Sequence, residues 1–478
     1  MAKMDGRAEF GVIGLGVMGA NLALNIEDHG FSVAVWNRDP ERTGDFLATH
    51  AGRRFTGAAT LREFVRSLDP PRRILMMIKA GDPIDHTIRD LEPLLEKGDI
   101  LIDGGNSDFR DTRRRESELR SSAIRFVGIG VSGGERGARF GPSLMAGGDG
   151  ESYERLNPVL EAIAAESAYG PCVSRVGPDG AGHFVKMVHN GIEYGVMQAI
   201  AEAYDMLKRG RGLGAAEIAE LFARWNEGPV ESFLVDLTAK VLAVEDPETG
   251  RPLVDVILDE AGQKGTGRWA VESALDLGIA APVTAAAVDA RVLSSMKSDR
   301  VHAETIIRGV AAAPVKVEKQ ECVQAVHDAL YAAMISAYAE GLNLIRAGSE
   351  EYGWDVDLRD IARTWTGGCI IRARLLVDIM RAFEARVDLP HLFLDEEIRG
   401  NLETAQPGWR LAVAASVSRG IPVPVLGAGL AHFDSYRTAD LPQNLTQAQR
   451  DAFGSHTYRR KDRPDEDVHT DWPGAREA

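Results

Sequence analysis

Lys186, His189, Asn190, Glu193 and Tyr194 stand at i, i+3, i+4, i+7 and i+8, a spacing that places all five on one face of a helix. Val185, Met187, Val188, Ile192, Val196 and Met197 around them are apolar and face elsewhere. A lysine and a glutamate on one rigid frame offer a proton acceptor and a proton donor, and imidazole, amide and phenol between them orient a small polyhydroxylated substrate. The base must be neutral and the acid protonated, so burial or charged neighbours must move the lysine down and the glutamate up. Solvated helix faces are richer in Glu and Lys repeats than in His, Asn and Tyr, which favours chemistry over a wetted surface. His189 and Glu193 are spaced to share a cation, but no third ligand is signalled nearby and no metal is expected.

Other clusters surround this stripe. Gly14-Leu15-Gly16-Val17-Met18-Gly19 is a G-x-G-x-x-G between a strand pattern and a helix pattern, the arrangement that brings backbone against a pyrophosphate. At the next strand end, Asn37 and Arg38 favour NADP, while Asp39 repels a 2′-phosphate unless it points away and so keeps NAD open. Asp103-Gly104-Gly105-Asn106-Ser107 and Val131-Ser132-Gly133-Gly134-Glu135 each follow a strand pattern, at the carboxyl ends where open sheets bind ligands. Gln263-Lys264-Gly265-Thr266-Gly267 is either a phosphate-monoester contact through Lys264 and Thr266 or a solvated interhelical turn.

The elements that must hold these groups divide the chain. Strand-like runs at 9–16, 31–36, 73–78, 100–103 and 126–131 alternate with helical segments, which predicts a doubly wound, mostly parallel Rossmann-type α/β domain over 1–178. Pro178-Asp179-Gly180 marks a boundary. Ala-rich helical spacing then predicts a large all-α domain over 179–440, with helices at 183–208, 215–224, 230–242, 253–260, 268–277, 284–297, 320–347, 370–385 and 408–418. From 441 to 478 the chain is polar and weakly periodic, an extended tail that stays disordered unless it docks. A net charge of −16 argues against nucleic acid and anionic membrane as partners. Three scattered cysteines, no apolar leader and no spanning run predict a soluble protein of a reducing, cytoplasmic compartment.

Together G-L-G-V-M-G, I-D-G-G-N-S, V-S-G-G-E, G-A-G-H-F-V-K-M-V-H-N-G-I-E-Y-G, A-G-Q-K-G-T-G and Q-A-Q-R-D-A-F-G-S-H-T-Y resemble the decarboxylating 6-phosphogluconate dehydrogenases of the pentose phosphate pathway, from about Phe10 to Trp472. Related 3-hydroxyacid dehydrogenases share the glycine fingerprint and a helix lysine but lack the long helical extension. The resemblance implies oxidation of 6-phospho-D-gluconate at C3 with NADP, loss of carbon dioxide without a metal, and release of ribulose 5-phosphate. It implies Lys186 as general base and Glu193 as the acid that protonates C1 of the enediol left after carbon dioxide departs. Asn106, Ser132, Gly133, Gly134, His189 and Asn190 match the sugar-acid contacts, and Tyr194, Lys264, Thr266 and Arg291 the 6-phosphate contacts. Gly14, Gly16, Val17, Met18, Gly19, Asn37, Arg38, Asp39, Ile78, Lys79, Ala80 and Asn106 match the cofactor path. The family is a homodimer in which one tail crosses to the other subunit, and Arg450 and His456 match the arginine and histidine it delivers. Two departures stand out: Asp39, where Thr or Ser is usual, and Thr366, where a basic residue is usual.

Overall fold

In the computed structural model, which describes residues 6–309 and 318–473, short apolar strands alternate with helices as far as Arg175. The strands are β1 (Phe10–Ile13), β2 (Val33–Trp36), β3 (Phe55–Gly57), β4 (Arg73–Met76), β5 (Ile100–Asp103), β6 (Arg125–Ser132), β7 (Ser143–Ala146), a small hairpin of β8 (Glu166–Ser167) with β9 (Gly170–Pro171), and β10 (Val173–Arg175). All but the hairpin join in one eight-stranded sheet of order β10-β7-β6-β5-β4-β1-β2-β3. From β3 to β6 neighbouring strands are parallel; β7 runs antiparallel to β6, and β10 parallel to β7. Helices α1 (Val17–Asp28), α2 (Pro40–Thr49), α3 (Leu61–Arg66), α4 (Asp82–Leu91), α5 (Phe109–Leu119), α6 (Gly134–Phe140) and α7 (Gly150–Ile163) lie between the strands.

Successive residues of one strand enter different cores. Val12 and Ile102 belong to one buried cluster, Ile13 and Leu101 to the other, so both faces of the sheet are covered and the strands read as unbroken apolar runs. The sequence pattern misses β3, β7 and β10. Phe-Thr-Gly, Ser-Leu-Met-Ala and Val-Ser-Arg are too short and too mixed to announce a strand, and their pairing comes from the sheet beside them.

Beyond this sheet the chain is helical. α8 (Ala181–Arg211) ends at Gly212 in the left-handed conformation and is followed by helices Ala215–Trp225, Phe233–Leu242, Thr266–Asp276, Pro282–Ser294, Lys297–Ile306, Lys319–Tyr352, Leu358–Thr364, Leu375–Ala385, Glu396–Val417 and Pro424–Tyr436. The helix expected over 253–260 is a correction: only a single 3-10 turn, Leu253–Asp255, forms there. Asp255, Val256 and Ile257 are poor helix formers, and Ile257 and Leu258 remain exposed, so no buried face supports further turns.

The two long helices carry a repeated pattern. Ala199-Ile200-Ala201-Glu202 on α8 matches Ala337-Tyr338-Ala339-Glu340 on Lys319–Tyr352, and Gly278-Ile279-Ala280-Ala281-Pro282-Val283 matches Gly420-Ile421-Pro422-Val423-Pro424-Val425. Each glutamate accepts hydrogen bonds from the backbone at the start of the helix that its Pro-Val opens. The long helices touch at Gly341, where a Cβ would come within 2.5 Å of Ile192.

Contacts divide the chain into two compact units, one up to Gly429 and one from Leu430. Within the second, the expectation of an extended tail, disordered unless docked, is corrected: residues Gln443–Gly454 form a helix, and Tyr458–Arg460 pairs antiparallel with Arg463–Val468. The organiser is Asp451, fully buried, whose carboxylate accepts from Thr457 N at 3.0 Å, Thr470 N at 3.0 Å, Trp472 Nε1 at 2.8 Å and His469 Nδ1 at 2.8 Å. Burial would raise its pKa, but these donors hold it well below the carboxylate range.

Candidate active site

The polar stripe of α8 is not a wetted seam. Lys186 is 6% exposed and His189 fully buried, and only Asn190 and Glu193 are half-buried. Helix packing closes around it: Gly130 of β6 lies so near Lys186 that a Cβ there would overlap the lysine stem, and the His189 ring meets Trp365 edge-on at 5.6 Å.

Hydrogen bonds tie the group together. Asn190 Oδ1 accepts from Lys186 Nζ at 2.8 Å and lies 3.1 Å from His189 Nδ1, while His189 Nε2 is 3.1 Å from Ser132 Oγ. Because an amide oxygen only accepts, the ring proton belongs on Nδ1, and Nε2 accepts from Ser132. Asn190 Nδ2 donates in turn to Thr266 Oγ1 at 3.1 Å. Burial, then the Lys186 charge, holds His189 well below the histidine range, so the ring is neutral. Burial also presses Lys186 down to about 8 against the opposing pull of Glu193, and it raises Glu193 against Lys186 and Arg291. A base moved toward neutrality and an acid moved toward protonation now share one face, the condition for proton transfer both ways.

The other expected substrate contacts lie on several elements. Ser132, Gly133 and Gly134 form the β6–α6 turn, where Gly133 has φ +107° and abuts the Gly368 carbonyl. Asn106 is exposed at the tip of the β5–α5 turn, which buried Asp103 shapes by accepting from Gly105 N at 3.0 Å and Ser107 Oγ at 2.6 Å. The Arg291 guanidinium lies 3.4 Å from the Tyr194 ring centroid, and of the 263–267 loop Thr266 is buried and Lys264 exposed. Arg450 and His456 are exposed in the second unit, where Arg450 donates to Gln447 Oε1 at 2.9 Å.

A separate cleft at the carboxyl ends of β1, β2 and β4 is lined by Gly14, Gly16, Asn37, Arg38, Asp39, Ile78 and Lys79. Gly14 has φ +95° with Met77 O against it, and a Cβ on Gly19 would overlap Gly14 O, so helix and strand close tightly. Gly16 opens onto free space at the N-terminus of α1, the geometry that admits a pyrophosphate. Val17 is exposed on the first turn, Met18 packs on the sheet core, and Ala80 is half-buried in the loop after Lys79. Asn37 Oδ1 accepts from Leu15 N at 3.0 Å, which spends that oxygen on the glycine turn. Asp39 caps α2, accepting from Glu41 N at 3.1 Å. Arg42, Thr87 and His86 also line the cleft, and the sequence pattern did not single them out. Open backbone at Gly16 beside Arg38 and Arg42 fits a phosphorylated dinucleotide.

Residues 9–177 match the model of the NAD binding domain of 6-phosphogluconate dehydrogenase, and residues 182–472 that of the 6-phosphogluconate dehydrogenase C-terminal domain. The chain belongs to the 6-phosphogluconate dehydrogenase family. It is 51% identical to the NADP(+)-dependent, decarboxylating 6-phosphogluconate dehydrogenase of Bacillus subtilis, over 98% of this chain and 99% of that one. It is also 51% identical to the decarboxylating 6-phosphogluconate dehydrogenase of Synechococcus elongatus, over 97% and 99%. Among solved structures, the Plasmodium falciparum 6-phosphogluconate dehydrogenase, studied as apoenzyme and with NADP+ or 6-phosphogluconate, superposes with a TM-score of 0.94 at 41% identity, covering 97% of this chain and all of that one. Family members thus share both the sheet and the long helical region that the polar stripe joins.

Proposed function

We propose that the site oxidatively decarboxylates 6-phospho-D-gluconate to ribulose 5-phosphate and carbon dioxide, with reduction of NADP to NADPH. The observation that carries this is the buried Lys186 ammonium, pressed to about 8, on one helix face with a Glu193 carboxyl raised by burial. NADP, when bound, takes the hydride from C3. Lys186 takes the proton of the 3-hydroxyl, and Asn190, itself held by neutral His189, fixes where its Nζ stands. Once protonated, Lys186 donates to the 3-keto oxygen while the C1–C2 bond breaks, stabilising the enolate charge. Glu193 then gives its proton to the carbon that lost the carboxylate, C2 of the substrate and C1 of the ribulose 5-phosphate formed. Arg291 and Tyr194, with Lys264 and Thr266, hold the 6-phosphate, and Asn106 with the Ser132 turn holds the sugar acid.

Arg38 and Arg42 hold the 2′-phosphate, and their two charges outweigh that of Asp39, which lines the same cleft with its carboxylate turned to the α2 cap. Asp39→Thr, which keeps a capping oxygen, is expected to change the NADP-to-NAD ratio of kcat/KM by less than about three-fold. A gain of ten-fold or more contradicts this. We further infer a homodimer with Arg450 and His456 crossing into the partner's site. Its support is the apolar surface left exposed at Leu237, Val241, Ile257, Leu258 and Leu293. Cys172, Cys322 and Cys369 are free thiols, which fits the reducing cytoplasm.

The experiment is product analysis with 6-phosphogluconate and NADP. Equal amounts of NADPH and carbon dioxide are expected. NADPH without carbon dioxide points instead to simple oxidation of a hydroxyacid.

A further inference from the structure

We propose that Glu340, far from the reacting atoms, is a positioning residue for the substrate's phosphate: its carboxylate clamps the start of the helix that presents Arg291. The inference rests on the reading that Arg291 meets the 6-phosphate.

Glu340 is 1% exposed on Lys319–Tyr352. Its carboxylate accepts from Val283 N at 3.0 and 3.1 Å, from Thr284 N at 3.1 Å and from Thr284 Oγ1 at 3.5 Å. These are the first free backbone donors of Pro282–Ser294, since Pro282 itself has none. Val283 and Thr284 are buried, so water cannot replace the carboxylate, and a negative charge there also favours the helix dipole.

The clamped end is seated on α8. A Cβ on Gly195 would stand 3.0 Å from Val283 Cγ1 and one on Gly191 3.2 Å from Thr284 Cγ2, so glycines on α8 allow this close approach. Arg291 follows Thr284 at i+7, about two turns on and on the same side of the helix. There its guanidinium stacks 3.4 Å from the ring centroid of Tyr194, which is again on α8. Its hydrogen bonds go to Gly262 O and Met197 Sδ rather than to a carboxylate, so its charge is available to an anion. Glu340 therefore fixes the tilt and height of one helix against the helix that bears the acid and base.

The repeat supplies a contrast. Glu202 accepts from Val425 N and Leu426 N, both at 2.9 Å, at the start of Pro424–Tyr436, but Phe433 stands in sequence where the first copy has Arg291. The clamp recurs in both halves, and only the first holds a helix that carries a cation at that position.

The test is Glu340→Gln, which keeps size but turns an NH2 toward the same N–H donors. KM for 6-phosphogluconate is expected to rise roughly ten-fold, with kcat and KM for NADP within about two-fold. In an Arg291→Ala background the same substitution should add almost nothing. An equal rise with and without Arg291 makes Glu340 a general fold element and overturns the proposal, as does an unchanged KM in the single variant. If Arg291→Ala alone leaves KM unchanged, the phosphate reading itself fails, a separately visible result that removes the proposal with it. Should the glutamine variant not fold, Glu340→Asp keeps the charge with a shorter reach and is expected to raise KM in the same Arg291-dependent way; a rise independent of Arg291 counts against the proposal.

Discussion

On α8, Lys186 donates to Asn190 at 2.8 Å and lies 3.4 Å from His189; on Lys319–Tyr352, Gln324 donates to Asp328 at 2.7 Å and lies 3.5 Å from His327. His189 meets Trp365 edge-on at 5.6 Å, and His327 meets Trp225 edge-on at 5.4 Å. The two halves thus hold the same i, i+3, i+4 group against a tryptophan from the opposite half. What differs is the first residue, the acceptor (Asn190 in one, Asp328 in the other) and their surroundings. Lys186 is sealed beneath β6 and loses proton affinity to burial, whereas Gln324 carries no titratable group and is exposed, with His327 and Asp328 only partly covered. The hydrogen-bond pattern is therefore a way to build two packed long helices. Chemistry enters where a lysine is placed in it and the sheet domain covers it.

Lys186→Met should break the comparison most severely. It is expected to lower hydride transfer by about 10²–10⁴-fold with NADP affinity kept, measured by single-turnover NADPH formation and cofactor titration. Adding Gln324→Lys to that variant should restore nothing, because an exposed lysine keeps an ordinary pKa; recovered turnover would make the two triads interchangeable. Glu193→Gln should leave the first NADPH burst and slow steady turnover by roughly 10²-fold, since only the later proton delivery is lost. In the tail, Asp451→Ala strands the donors at Thr457, Thr470 and Trp472 and is expected to raise KM for 6-phosphogluconate several-fold with kcat less affected. The smallest effect belongs to Gln324→Ala, with kcat/KM within about two-fold in steady-state assays.

The helix period made the Lys186–Tyr194 stripe legible, and the glycine fingerprint after β1 made the cofactor cleft legible, because both depend on local spacing. Other parts rest on distant partners. Sequence placed apolar residues beside the stripe but not the closure of α8 on nearly all sides, which needs β6 and Trp365. Glu202 and Glu340 look like ordinary polar positions of Ala-rich helices until helix starts far along the chain arrive as their donors. Arg42, His86 and Thr87 join the cleft only because α2 and α4 flank the same strand ends. The tail looked formless because its order comes from one buried aspartate whose partners lie well downstream.

The central claim is that burial gives Lys186, alone of the two triads, a base of usable pKa. The pH dependence of single-turnover NADPH formation tests it directly. Because the neutral amine is the reactive form, the rate should rise with pH through a midpoint near 8. Glu193 opposes the downward shift, so the midpoint should move lower in Glu193→Gln while the burst survives. A burst with no pH dependence, or a midpoint at the ordinary lysine value of about 10.4, would contradict the account.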